Sequence, residues 1–303
     1  MAIGLITDMQ QGKTMVEDVT NEITNVDYES TPFYSSLMES QATNTLHQWL
    51  TDTLATSTDN AVVEGSDATT VDMTEPSRST NIVQMFRKVI NVSDTARAVS
   101  HYGTGDPYTY QKTKVLKEMA RDIEKALVAG TRASGSSGVA RRMNGAIALI
   151  TTNKTVRSSG TSLSETEFND ILQGIYDSGT DISVDKVFTG ASLKRVISGY
   201  TGVPNTVQNV NAADGKLYNS VSFYQSDFGV LSVHLEREVP TTAGNKGILL
   251  VDSSKWRAAY LAGRRPQHTP LAKTGSSTKG MLEAELTLES LNEKSSAYRA
   301  GYL

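Results

Sequence analysis

Several stretches carry residue types that could do chemistry, and each lacks a part that the chemistry needs. Gly12-Lys13-Thr14 has the ending of a phosphate-binding loop, but that loop also needs a glycine at position 7, where Thr7 stands, and no apolar strand precedes it. Gly103 and Gly105 precede a helical stretch in the manner of a dinucleotide fingerprint, yet Tyr108 holds the third glycine's place. The four histidines, His47, His101, His234 and His268, are scattered, with no carboxylate or second histidine at metal-ligand spacing. There is no Gly-x-Ser-x-Gly elbow to present a nucleophilic serine. The chain has no cysteine, which excludes disulfides, thiolate zinc sites and cysteine nucleophiles. Asp52, Asp59, Glu64, Asp67, Asp72 and Glu75 crowd acid into one stretch. A calcium loop alternates its acidic ligands around a fixed glycine and ends in a glutamate. Asp67 and Asp72 do not keep that spacing, so solvation is the simpler account and a weak ion site the lesser one. Arg141-Arg142 and Arg264-Arg265 have no interleaved aromatics and read as rim salt bridges rather than nucleic-acid sites. No catalytic residue, cofactor or metal is therefore expected.

The totals point the same way. Hydrophobic residues are 38% of the 303, enough for a core but lean for one compact globule of that length, so polar arms and loops are expected. The net charge of −4, with both signs interspersed, argues against a coat that holds nucleic acid by neutralising it. No run approaches the length of a membrane helix. The apolar patch near Met1 is short and follows no basic residue, so it reads as neither signal peptide nor anchor.

The best-specified element is a helix from Asp106 to about Gly130. Asp106 is a suitable N-cap, and Pro107 sits where its missing N–H costs nothing. Leu116, Met119, Ile123 and Leu127 form an apolar stripe, widened by Val115, Ala120 and Ala126. Lys114, Lys117, Glu118, Arg121, Asp122 and Lys125 lie mainly on the other face, with Glu118 spaced to pair with Lys114 and Arg121. Gly130 is placed to end the rod in a left-handed conformation.

Before this beam, residues 1–45 read as an arm. Met15, Val16, Val19 and Ile23 hint at an amphipathic turn, and Phe33, Tyr34, Leu37 and Met38 cluster behind Pro32. Such an arm must dock on another element or another subunit. Residues 44–93 read as a long hairpin, a finger whose strands lie in 46–51 and 82–91 and whose polar middle has no period. Trp49 and Phe86 on its strands are candidate contacts with a neighbour, and Arg78 and Arg87 are candidate partners for a neighbour's acids.

After the beam, 131–145 is a Gly/Ser loop and Ala146–Asn153 a short strand or buried turn. Residues 160–240 form an α/β unit: a helix capped by Ser164 with Glu167 and stopped at Gly179, a strand around Val187-Phe188, a helix over 191–200, a turn-rich stretch, and strands near 220–225 and 229–239. The remainder is β. Gly247–Asp252 is a buried-strand run, Lys255–Gly263 a strand or short helix, and Gly280–Ser290 alternates Leu282, Ala284, Leu286 and Leu288 against Glu283, Glu285, Thr287 and Glu289, as a strand with one wet face does.

That order of elements, with STPFYSSL in the arm, VVEGSDA in the finger, NIVQMF followed by VSDTARAV, and YQKTKVLKEMARDIEKALVAG in the beam, resembles the major capsid proteins of tailed bacteriophages, of the Hong Kong 97-type fold. The likeness extends more loosely through KVFTG, DFGVLSVHLER and LLVDSSKWRAAYL. It implies an α+β subunit with an N-terminal arm (1–43), an extended loop (44–93), a peripheral domain (94–151 and 243–303) and an axial domain (152–242). It implies hexamers and pentamers closing into an icosahedral head around double-stranded DNA. Portal protein, with scaffold or decoration proteins, would be partners, DNA would be touched weakly and without specificity, and no membrane is involved. The place would be the virion, after assembly in the host cytoplasm. Subunit-interface residues would then be Phe33, Tyr34, Trp49, Arg78, Phe86 and Arg87. An encapsulin-type host compartment on the same fold is the alternative. A soluble hydrolase using finger carboxylates is a third reading, which the lack of apolar walls around Asp59–Glu75 disfavours.

Overall fold

The structure, a computed structural model, describes residues 30–67, 75–101, 103, 105–179, 183–200, 223–242 and 244–303. The expected turn at Met15–Ile23, the Gly12-Lys13-Thr14 stretch, Asp72 and the turn-rich residues after Tyr200 lie outside the described residues.

Helix α1 (Pro32–Ser36) and strand β1 (Met38–Ala42) open the described chain. A two-stranded ribbon follows, β2 (Leu46–Thr51) against β3 (Ser77–Ile82), with Leu46 opposite Ile82 and Thr51 opposite Ser77. The expected hairpin is thus shorter than read. After Val83 the chain leaves the ribbon, and β4 (Gln84–Ser93) pairs along ten residues with β12 (Ser277–Ser290) instead. Its inward parity, Phe86, Ile90 and partly buried Val92, is apolar enough to belong to a core.

Helix α2 (Asp94–Ala98), capped by Ser93, leads to the beam α3 (Pro107–Ala129). Asp106 caps α3 by accepting from the Tyr108 N–H, and Arg97 holds that carboxylate in turn at 3.0 Å. Met119, Ile123, Leu127 and Val128 are buried, whereas Leu116 is about half exposed. The stripe is therefore rotated from the expected one, toward Glu124 and away from Leu116. Gly130 does not take the left-handed form, since its φ is −58°. It is glycine for room: a Cβ there would run into the Ala126 carbonyl and meet the Met143 carbonyl at 2.9 Å. Gly145 meets it backbone to backbone, donating its N–H to the Gly130 carbonyl at 2.9 Å. Ala146–Leu149 then forms one helical turn, α4, rather than a strand.

Two sheets flank this frame. The first runs β1, β10 (Trp256–Leu261), β12, β11 (Gln267–Pro270), with β4 on the other side of β12. The second runs β5 (Lys154–Thr161), β13 (Ala297–Tyr302), β9 (Lys246–Val251), β6 (Lys186–Thr189), β8 (Gly229–Leu235), β7 (Phe223–Ser226). Helices α5 (Glu165–Asp177) and α6 (Ala191–Ser198) pack on it. The α5 cap is as expected, with Ser164 accepting from the Glu167 N–H, and Gly179 follows at φ +80°.

Among the described residues two large apolar cores result, which β9 separates, beside a small cluster of Ala42, Val83 and Ala259. Leu249 and Val251 face the core under α3, while Ile248 and Leu250 face the core under α5 and α6. Phe188 and Val187 of β6 split in the same way, as do Tyr298 and Tyr302 of β13. Burial on both faces is why Gly247–Asp252 reads as an unbroken apolar run. In this sheet β9 and β13, from the last part of the chain, pair with each other and with β6 and β5.

Candidate functional site

The residues with chemical potential do not converge. His47 lies beside Glu289, His101 bonds the Ala96 carbonyl, His234 stacks on Phe188, and His268 bonds the Tyr108 hydroxyl at 2.8 Å. Asp52 and Asp59 accept from the nearby backbone N–H groups of Thr53 and Ala61, and Glu64, Asp67 and Glu75 are exposed. Among the described residues no three His, Asp or Glu side chains are placed to hold a metal ion. What the side chains build instead is a set of anchors for the finger and the arm.

The finger is held at its root by an amide that the sequence reading missed. Asn81 is fully buried. Its Nδ2 donates to the carbonyls of Leu288 at 2.8 Å and Asn144 at 3.0 Å, and its Oδ1 accepts from the Asn144 N–H at 2.9 Å. One side chain thus ties β3 to β12 and to the loop after the beam. Beside it, Trp49 is buried and its Nε1 donates to the Ser290 carbonyl at 2.6 Å. The ribbon's other parity points away: Leu46 and Leu50 are exposed, and beyond the ribbon Leu54 is 99%, Val62 80% and Val63 79% exposed.

A ladder of carboxylates lines one face of β12, and its last member meets the ribbon at His47. Glu283, Glu285 and Glu289 on β12 are all buried, so the expected wet face is covered. Arg87 reaches Glu283 at 2.6 Å, Arg264 lies 3.6 Å from Glu283 and 3.4 Å from Glu285, and Arg141 lies 3.8 Å from Glu285. Glu289 is 3.6 Å from the His47 ring and accepts from the Ser40 hydroxyl at 2.8 Å. The neighbouring His47, with Ser40, holds its carboxyl below the usual range against the opposing effect of burial. The two arginine pairs are accounted for in part here; Arg265 bonds Glu39 at 2.7 Å and lies over the Tyr260 ring.

The arm docks through backbone. Phe33 is fully buried, edge-on to Phe188 at 5.3 Å and near Trp256 at 6.4 Å. The N–H groups of Phe33 and Tyr34 donate to Glu124 at 2.8 and 2.7 Å. Glu124 is buried, and so is Glu236, whose Oε1 accepts from the Glu238 N–H and whose Oε2 accepts no hydrogen bond from the described residues. Burial pushes the Glu124 carboxyl up to about 9, with the adjacent Glu236 carboxylate as the next cause. A protonated Glu124 can donate toward Glu236 and still accept from the arm, which satisfies a pair that two ionised groups would not. Nothing in the spacing of Glu124 marked it out from the charged residues around it.

All six residues expected at a subunit interface have partners inside the subunit. Phe33, Trp49 and Phe86 are buried, Tyr34 bonds the Tyr260 hydroxyl at 2.5 Å, and Arg87 holds Glu283. Arg78 is exposed on the ribbon, with Gln48 at 3.5 Å.

A family model described as SU10 major capsid protein matches residues 5–301. The major capsid protein of Escherichia phage Phieco32 is 25% identical over 93% of this chain and 92% of its own length. Among solved structures, the capsid of a native GTA particle superposes over all of both chains with a TM-score of 0.69 at 11% identity. The capsid of Myoviridae phage XM1 does so over 98% of this chain and 99% of its own, at 0.64 and 11%. The SrpI encapsulin of Synechococcus elongatus covers 99% of this chain and 96% of its own, at 0.59 and 10%. These likenesses establish the Hong Kong 97-type fold.

Proposed function

This chain belongs to the SU10 major capsid protein family, and on that premise we propose that its copies assemble as hexamers and pentamers into the icosahedral head that encloses the double-stranded DNA of a tailed phage. The observation that carries the assembly is the finger. Leu46 and Leu50 are exposed on a ribbon whose root is fixed by Asn81 and Trp49, and Leu54, Val62 and Val63 are exposed beyond it. Covering a leucine or valine side chain is worth about 1.5–3 kcal/mol, and a neighbouring copy supplies the cover. Such a contact is heterologous, and it closes into rings when the rotation between copies allows.

In this reading Arg78 meets the neighbour directly. Trp49, Phe86 and Arg87 serve the interface by aiming the finger, and Phe33 and Tyr34 by seating the arm. The arm is 1–43, the extended loop 44–93, the peripheral domain 94–151 with 243–303, and the axial domain 152–242. The role is structural and non-enzymatic. The protein resides in the virion after assembly in the host cytoplasm, with portal, scaffold or decoration proteins as partners and weak contact to packaged DNA. The encapsulin reading shares the fold, as SrpI does, but the family match favours the phage head.

Electron microscopy and size measurement of the purified protein test the assembly. Closed shells that copurify with DNA and a portal protein are expected. A compact monomer under every assembly condition would refute it, and a copurifying cargo enzyme would favour the compartment instead.

A further inference from the structure

The finger and its root carry opposite charge. From Asp52 to Ser77 the chain holds six carboxylates and no lysine, arginine or histidine. Asp52, Asp59, Glu64, Asp67 and Glu75 lie among the described residues, and all five are exposed. Asp52 and Asp59 accept only from the Thr53 and Ala61 N–H groups, and no basic side chain among the described residues reaches any of the five. The root is built from arginines. Residues 132–142 form a hairpin in which Ala133 pairs with Arg142. Arg132 donates to the Thr80 hydroxyl at 3.1 Å, and the exposed Arg142 side chain has no partner among the described residues. Arg78, opposite Leu50 in the ribbon, meets only the Gln48 amide. These three guanidiniums therefore have no carboxylate of their own. On β12, Arg87, Arg141 and Arg264 share Glu283 and Glu285, which leaves a further positive charge uncompensated. Leu46 and Leu50 stand on the same outward face as Arg78 and Thr80, because alternate residues of a strand point the same way.

We infer that the finger of a second copy lies on this root, with its carboxylates on Arg78, Arg132 and Arg142 and its apolar side chains on Leu46 and Leu50. The inference rests on the reading that the finger grips a neighbour, and it names the surface that is gripped. Charge complementarity selects the occupant. Arginine takes a carboxylate through two parallel N–H donors, which fixes register as well as attraction. Residues 52–64 span about 45 Å when extended, enough to cross to an adjacent copy. The finger's exposed acids do not turn back on their own root, so finger and root are satisfied in different contacts. A contact of this head-to-tail kind repeats from copy to copy and closes into a ring. Duplex DNA is the rival occupant of the arginines, but it would leave the acids and apolar groups of the finger uncovered.

Charge reversal in the full-length chain tests this. D59R/E64R and R78E/R142E change exposed side chains only, so the thermal midpoint of the dilute subunit should match the wild type. Like charges facing each other across an interface exclude a partner, so each variant should lose shell yield by about tenfold or more in sedimentation and electron microscopy. The combined chain D59R/E64R/R78E/R142E, in which both partners are reversed, should recover it. Wild-type yield from both reversed variants overturns the docking and leaves the assembly reading standing. A wild type that stays monomeric under every condition overturns that reading and the docking with it. Loss in both variants with no recovery in the combined chain overturns the pairing of finger with root. So does a short duplex whose binding disappears in R78E/R142E while that variant forms normal shells, which assigns the arginines to nucleic acid.

Discussion

At the scale of single residues, Glu124 ties the arm to the beam. A charged carboxylate taken from water into this position would cost several kcal/mol. Its neutral form keeps both arm N–H bonds and resolves the contact with Glu236. Because its pKa is raised in the folded state, the stability it contributes is full below the unfolded value of 4.5 and is lost as pH climbs toward about 9. Thermal unfolding measured from about pH 5 to about pH 9 should therefore show a falling midpoint, and E124Q, which cannot ionise, should flatten that slope. E124A should cost about 3 kcal/mol by leaving the buried Phe33 N–H and the part-buried Tyr34 N–H unpaired. Asn81 poses the same accounting at the finger's root. N81A strips partners from Asn144 and Leu288 and should lower stability by about 2–3 kcal/mol in denaturant titration. Neither residue was legible in the sequence. A buried Glu or Asn has no pattern of its own, and only the backbone that comes to meet it, from 33–34 in one case and 144 and 288 in the other, gives it a role.

Elements were more legible where period and punctuation agreed. The beam, its Asp106 cap, the α5 cap and the parity of β4 follow from local spacing, because neighbours in the chain decide them. The misreadings share one cause, contacts distant in sequence. Val83 ends the ribbon because β12 is the better partner for β4. The Glu face of β12 is dry because Arg87, Arg141 and Arg264 arrive from three separate segments. In the ribbon, both parities of β2 carry apolar groups, so alternation could not say that Trp49 turns in and Leu50 out. Gly130 and Gly145 are glycines for close packing rather than for a left-handed turn. G145A would press a Cβ against the Gly130 nitrogen at 2.6 Å and the Val128 carbonyl at 2.7 Å. Overpacking of this kind costs about 1–3 kcal/mol, and a lowered unfolding midpoint in guanidinium should show it. I123D places an unpaired charge among fully buried side chains and should abolish the cooperative transition altogether.

At the scale of the molecule, the subunit splits its labour between a seam that must not give and a finger that the core does not need. The seam is β9, with successive residues feeding two cores, so the units on either side share one strand and should unfold together. The finger beyond Thr51 and Ser77 lies past the last ribbon pair, and its described apolar side chains stand in solvent. Removing residues 57–75 and closing the ribbon with the six that remain deletes Val62 and Val63 but leaves Asn81, Trp49 and the ladder in place. A longer loop costs only slightly more entropy to close than a shorter one, so the shortened subunit should keep its unfolding free energy within about 1 kcal/mol of the parent. Shell yield, scored by electron microscopy and sedimentation, should fall sharply in the same preparation. Normal shells from the shortened chain would show that neighbours are gripped elsewhere. Loss of the folded subunit would show that the finger belongs to the core after all. The two measurements separate because the ribbon's root is buried by this chain, whereas its outer face and the described apolar groups beyond it stand in solvent.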